Sequence, residues 1–187
     1  MRRTLWVVRF FVLLIATVAT AQVKFFPPDF PPKWYERDLT SLKEPSLWES
    51  AKAHKTQSYR FLWLRSFHHA ISIRIDLNED GTSSLVCKIA GGATGRPGKL
   101  IKNRSFSLNQ MQTSRFLEHV ERSKFWKLPP VLDDGGVDGA QWIMEAVRYG
   151  DYHVVDRWSP QNGEIRSLGL YILRDLAKLK LARNEIY

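Results

Sequence analysis

The stretch Gly139–Pro160, GAQWIMEAVRYGDYHVVDRWSP, decides the fold because it predicts a β-hairpin rich in residue types able to do chemistry. A three-residue loop over 148–150 would put Gly150 in the left-handed conformation that such loops need. One face of the hairpin is then apolar apart from Asp156 and is expected to pack on helices. The other face carries a row of four polar residues: Gln141, Glu145, His153 and Arg157.

Two interpretations of this polar row stay open. In the first, Glu145 orients His153 as a general base and Arg157 holds an anion. In the second, the row is a cross-strand ion pair on a solvated sheet face. A rival register with a two-residue turn over 150–151 would set Glu145 against Asp156, which is costly because like charges then face each other.

A second hairpin precedes this one in the chain. Residues 70–77 alternate between isoleucine or leucine and polar side chains, which is typical of a half-buried strand. A loop over 79–81, with Gly81 left-handed, would place Ile75 opposite Leu85 and Ile73 opposite Cys87. Cys87 is therefore predicted to be a core residue and not a nucleophile.

Two helices are expected. Ser107-Leu-Asn-Gln110 has the form of a capping box, which predicts a helix over 108–123 that gives Met111, Phe116, Leu117 and Val120 to the core. Residues 163–181 predict a second amphipathic helix. The glycine-rich run 91–99 lacks the spacing of a phosphate-binding loop and is expected to be a flexible connection. The pattern predicts an α+β fold, an antiparallel sheet of about five strands in the order β-β-β-α-β-β-α, with two helices packed on one face.

The N-terminus predicts export. A basic start, an apolar run and Ala19-Thr-Ala21 have the form of a signal peptide over 1–21. A proline-rich arm and a short helix would follow over 22–57, and a single α+β domain over 58–187. The protein would then be periplasmic or secreted. The alternative is a retained leader that anchors the protein to the membrane.

Charge and cysteine content limit the function classes. The net charge is +9, but no block of like charges concentrates it, so we expect no nucleic acid partner and only a general attraction to anionic surfaces. One cysteine excludes an intramolecular disulfide and a cysteine-based metal site. His68 and His69 are further candidate binding residues. As strand neighbours they would point to opposite faces and could not easily share a metal, so we expect neither metal nor cofactor.

Three features together resemble a group of small exported bacterial domains of unassigned function. They are the Asp80-Gly81 turn, the Ser107-capped helix that ends in Phe125-Trp-Lys-Leu-Pro129, and the last hairpin with its helix; the likeness spans about residues 59–180. It implies a fold and supplies no catalytic residue. The sequence thus predicts a monomeric, exported binding domain for a protein or cell-envelope ligand. A small hydrolase or lyase that uses Glu145, His153 and Arg157 is the alternative.

Overall fold

A computed structural model of the chain describes residues 23–30, 34–93, 95–132 and 135–187. The predicted leader lies outside these residues. The described helices are α1 (Tyr35–Ser41), α2 (Leu47–Ala51), α3 (Gln110–Arg122) and α4 (Glu164–Tyr171). The strands are β1 (Gln57–Arg65), β2 (Ile71–Leu77), β3 (Ser83–Ala93), β4 (Arg96–Leu108), β5 (Ala140–Arg148) and β6 (Asp151–Trp158). They form one antiparallel sheet in the order β4-β3-β2-β1-β5-β6, so the α+β class is confirmed and the sheet has one more strand than expected.

The hairpin of β2 and β3 has the predicted register. Ile75 lies opposite Leu85 and Ile73 opposite Cys87, and Gly81 has a φ of 80° in the connecting turn. Because alternate residues of a strand share a face, this register places all four side chains in one core. Cys87 is 3% exposed, as expected of a core residue.

The first core lies between one face of the sheet and helices α3 and α4. Trp63 of β1 and Trp142 of β5 are fully buried there, with ring centroids 5.5 Å apart. Such an aromatic pair contributes about 0.5–1.5 kcal/mol beyond its buried area. Gly169 of α4 lies against Trp142, and a Cβ atom at Gly169 would come within 2.8 Å of the indole ring. The close approach of α4 to the sheet therefore depends on a glycine.

Helix α3 begins two residues later than predicted. Its N-cap is Asn109, whose side chain accepts a hydrogen bond from the Gln112 backbone amide, while the Gln112 side-chain oxygen accepts one from the Asn109 backbone amide. Ser107 instead belongs to β4, because the strand continues to Leu108. Met111 was expected in the core but is 64% exposed, because it lies about 140° around the helix from the buried Phe116, whereas Val120 lies about 40° from Phe116 and is buried.

The last helix is shorter than the predicted span of 163–181. After α4 the chain makes one wider, π-helical turn over Ile172–Leu176. Helical conformation ends near Lys178, whose φ of 52° is left-handed. Residues 178–187 then continue as an irregular segment with a short turn at Arg183–Glu185, instead of extending the helix into solvent.

The predicted register of the hairpin of β5 and β6 is wrong. Glu145 lies opposite Val154, and His153 lies opposite Ala146, because the turn has two residues, Tyr149 and Gly150. Both have positive φ, 51° and 107°, as a tight hairpin turn of the primed type requires. A shift of one residue moves a whole strand's side chains to the other face.

The second face of the sheet is covered by the N-terminal segment, contrary to the expectation of helices on one face only. Phe25, Phe26 and Phe30 are each no more than 6% exposed and pack with α1 on β1, β5 and β6. The Tyr35 hydroxyl of α1 donates a hydrogen bond to the Asp156 carboxylate at 2.7 Å. The sheet is therefore the middle layer between two cores.

Candidate functional site

The corrected register separates the predicted polar row. Gln141 and Glu145 face the N-terminal segment, whereas His153 and Arg157 face the side of the sheet that holds α3 and α4. Glu145 and His153 are thus on opposite faces of the sheet. A Glu–His general-base pair does not form from these residues.

Glu145 belongs to a buried ion network. Its Oε2 accepts hydrogen bonds from Arg60, one of them 2.8 Å from Nε, and its Oε1 accepts one from the Tyr152 hydroxyl at 2.8 Å. Burial raises the pKa of Glu145, and Arg60 and Tyr152 oppose this rise. Burial alone would lower the pKa of Arg60, but Glu145 and Glu44 outweigh it and the net change is upward. Arg60 keeps its charge, since an arginine does not lose its proton in a protein, and this charge favours the ionised form of Glu145.

Glu44 extends this network to the neighbouring strands. Its carboxylate lies 3.2 Å from the Arg74 Nε, 2.8 Å from the Lys88 Nζ and 3.7 Å from the Arg60 Nη1. Glu44 precedes α2, and the three cations lie on β1, β2 and β3. The network fastens the N-terminal segment to the sheet, and the side chains of Glu44, Glu145 and Arg60 are fully buried.

The other predicted residues have separate structural roles. His153 donates from Nε2 to the Leu128 carbonyl at 3.0 Å, and burial lowers its pKa. Arg157 donates to the Pro129 carbonyl at 2.9 Å and to the Asp156 carbonyl at 2.6 Å. Both side chains therefore hold the segment that follows the short turn at Phe125–Lys127.

His68 and His69 lie in the connection between β1 and β2, not in a strand. His68 Nδ1 is 2.9 Å from the Tyr187 hydroxyl, and His69 Nδ1 is 2.8 Å from the Gly92 carbonyl. Among the described residues there is no group of three or more His, Cys, Asp or Glu side chains that could hold a metal. Of the predicted site residues, His69 alone borders the cavity described next.

A basic cavity of about 440 Å³ lies between the first face of the sheet and residues 178–181. The cross-strand pair Ile71 and Ile89 contributes apolar wall. Of the described residues that line the cavity, none is acidic and six are basic: Arg65, His69, Lys102, Arg104, Lys178 and Lys180. The volume falls within the usual range for small-ligand sites, and the charge suits an anion.

Lys102 and Arg104 reach the cavity because of their strand position. They lie opposite Ile89 and Cys87, so they share the apolar face of the sheet although both are exposed. Burial raises the pKa of Cys87 to about 11, and the nearby charges of Arg104 and Lys102 oppose the rise. Their positive field therefore extends into the adjacent core.

Arg65 is the buried cation of this cavity. It is 4% exposed, and its guanidinium lies 4.0 Å over the Trp63 ring. Its Nη2 donates a long hydrogen bond of 3.4 Å to the His69 carbonyl, and Nη1 is 3.9 Å from the Glu185 carboxylate. Within the described residues, Nε and Nη1 have no hydrogen-bond acceptor.

The pKa of Arg65 is lowered in these surroundings. Burial lowers the pKa, and the distant Glu185 only partly restores it. Buried donors without an acceptor are rare and costly in folded proteins. Arg65 also lines the cavity, where an anion would supply a compensating charge.

The sequence gives little sign of this site. Its basic residues come from β1, from the connection after it, from β4 and from the segment after α4, and no local spacing relates them. The alternation of Lys102 and Arg104 with polar residues looks like a solvated strand. The π-helical turn and the left-handed Lys178, which bring Lys178 and Lys180 back to the sheet, have no pattern that predicts them.

The fold and the cavity define an α+β protein with a basic site. No protein-family model matches the sequence, and comparison with curated proteins gave no match. The resemblance to exported bacterial domains therefore stays a prediction. None of the helices in the described part of the chain is long and apolar enough to cross a membrane.

Proposed function

We propose that the protein is a binding domain that holds an anionic group of its ligand in the basic cavity. The observation that carries the proposal is the lining of the cavity, in which the described residues include six basic side chains and no acidic one, with the buried Arg65 among them. Hydrogen bonds between a guanidinium and a phosphate or carboxylate are short and strong. The four neighbouring lysine and arginine side chains are exposed, so they can reach a ligand without first breaking a buried contact.

The predicted export fits this function. Residues 1–21 have the form of a signal peptide, and an exported protein would meet phosphate- and carboxylate-bearing molecules of the cell envelope. The ligand would be a protein or another envelope component. Binding would weaken with rising salt, because exposed charges are screened over about 8–10 Å at physiological ionic strength.

Titration of the full chain with inorganic pyrophosphate by calorimetry tests the proposal. The double variant Lys102→Ala, Arg104→Ala should bind at least tenfold more weakly, since each charged hydrogen bond contributes about 1.5–3 kcal/mol. The matched control is Arg96→Ala, Lys99→Ala, which removes the same charge from the same strand outside the cavity. The proposal is wrong if the wild type shows no saturable binding, or if both double variants lose the same affinity.

A further inference from the structure

The two edges of the sheet differ in how they are covered. At the β6 edge, the Asp156 amide donates to the Pro130 carbonyl at 2.7 Å, and Val131 forms an isolated bridge with Asp156. At the β4 edge, residues 101–107 are all exposed, and in the described part of the chain no strand or bridge pairs with their outer side. An uncovered edge strand is a template for a further strand.

The hydrogen bonds of the neighbouring strands show which backbone groups are free at this edge. The Asn78 amide donates to the Thr82 carbonyl, and the Ala90 amide donates to the Ala70 carbonyl. In an antiparallel pair such bonds recur at every second residue, so even-numbered residues of β3 bond to β2 and odd-numbered residues bond to β4. Cys87 is paired with Arg104 and Leu85 with Phe106. The amides and carbonyls of Asn103, Ser105 and Ser107 therefore point outward.

The side chains along β4 select the occupant. The three outward-bonding residues carry small, uncharged side chains, and none is proline, so nothing blocks their hydrogen bonds. The even-numbered residues that alternate with them along β4 include Lys102 and Arg104, which line the basic cavity. β4 holds four cations and no acid over Arg96–Leu108, so a second copy of this strand would be repelled. An acidic strand would be attracted.

We infer that β4 accepts an extended acidic segment of a partner protein as a seventh strand. The main-chain hydrogen bonds of Asn103, Ser105 and Ser107 supply affinity, and carboxylates at alternate positions of the peptide reach Lys102 and Arg104 at the mouth of the cavity. This inference rests on the proposed anion site for the charge of the partner. It adds the class of ligand and the way in which the ligand is held.

A capped nine-residue peptide of alternating glutamate and valine, with a fluorescent label, tests the inference by anisotropy with the full chain. Ser105→Pro removes one outward N–H and leaves the β3–β4 hydrogen bonds in place, as proline is tolerated on edge strands. It should bind the peptide at least tenfold more weakly. Ser105→Ala, which keeps the N–H, should bind like the wild type, and both variants should bind pyrophosphate like the wild type.

Each outcome separates the two proposals. Equal peptide binding by Ser105→Pro and Ser105→Ala would overturn strand addition and leave the anion site standing, whereas absence of pyrophosphate binding by the wild type would overturn the anion site itself. Self-association that Ser105→Pro abolishes would identify a second copy as the occupant and overturn the inference. Should Ser105→Pro fail to fold, hydrogen exchange of the wild type decides: the peptide must slow exchange at Asn103, Ser105 and Ser107, and unchanged rates refute strand addition.

Discussion

Replacement of Arg60 by methionine tests the buried ion network that joins β1 to β5 and to the N-terminal segment. The Arg60 side chain is fully buried, with hydrogen bonds to Glu145 and a 2.6 Å hydrogen bond to the Pro45 carbonyl. Arg60→Met leaves Glu145 as a buried carboxylate without its counter-ion. Breaking a buried pair in this way costs about 3–5 kcal/mol, so we expect that loss in the free energy of unfolding.

A second substitution identifies the cause of the loss. Arg60→Met with Glu145→Gln removes the stranded charge and keeps an amide oxygen for the Tyr152 hydroxyl, so the double variant should recover about 2 kcal/mol. Recovery is incomplete because the Pro45 carbonyl still lacks its donor. Lys52→Met is the control: Lys52 pairs with Glu49 at the surface, and its loss should cost less than about 0.5 kcal/mol.

Urea unfolding of the full chain at pH 7, followed by circular dichroism and tryptophan fluorescence, gives the free energy of unfolding of each of the three variants and of the wild type. The slopes of the free energy against urea must agree among the variants for the comparison to hold. The account of the network fails if Arg60→Met costs no more than Lys52→Met. It also fails if the double variant is less stable than Arg60→Met alone.

Three further predictions concern separate parts of the fold. Asn109→Ala should lower the free energy of unfolding by about 1 kcal/mol through loss of the α3 cap, whereas Ser107→Ala should change it by less than about 0.5 kcal/mol. Equal losses for the two variants in urea unfolding would contradict the assignment of Asn109 as the N-cap. Burial raises the pKa of Asp38 to about 6 from 3.8, so the folded protein holds a proton that the unfolded chain releases, and stability falls as pH rises from about 4 to 6. Asp38→Asn should therefore be more stable than the wild type at pH 7.5, by on the order of 2 kcal/mol, and equal to it at pH 4. Urea unfolding at a series of pH values checks this, and the same pH dependence of the free energy of unfolding in both proteins would contradict it. Cys87, with a pKa of about 11 and 3% exposure, should react with a thiol reagent at pH 8 only when urea unfolds the protein, and rapid labelling without urea would contradict its burial.

The α+β class and the register of the β2–β3 hairpin could be predicted because local signals determine them. The alternation over 70–77 marks the buried face, and Gly81 is the residue suited to the left-handed turn position. The β5–β6 hairpin also contains a glycine at its turn, but Tyr149 beside it is left-handed as well. A tyrosine in that conformation is uncommon, so the sequence favoured a longer loop, and the one-residue error exchanged the faces of Glu145 and His153.

The coverage of the second face could not be predicted from local signals either. Prolines near Phe25, Phe26 and Phe30 indicate extended chain, which is equally typical of a free arm and of a packed segment. The segment packs because β1 and β5 together form an apolar surface for it. That surface can be recognised only when the order of the strands in the sheet is known. The basic cavity depends in the same way on the return of residues 178–181 to the sheet.

The position of β1 at the centre of the sheet has a consequence for the order in which the chain assembles. Arg60 and Glu145 are 85 residues apart in sequence, yet they lie side by side on the strands that both cores require. Non-local strand pairing slows folding, to milliseconds or longer in small proteins rich in such pairs. We therefore expect the hairpin of β2 and β3 to form early, and the native sheet to close only after β5 pairs with β1. Until then the apolar faces of β1 and β2, which are buried in the native protein, stay exposed. A chaperone that binds apolar segments would bind them at this stage.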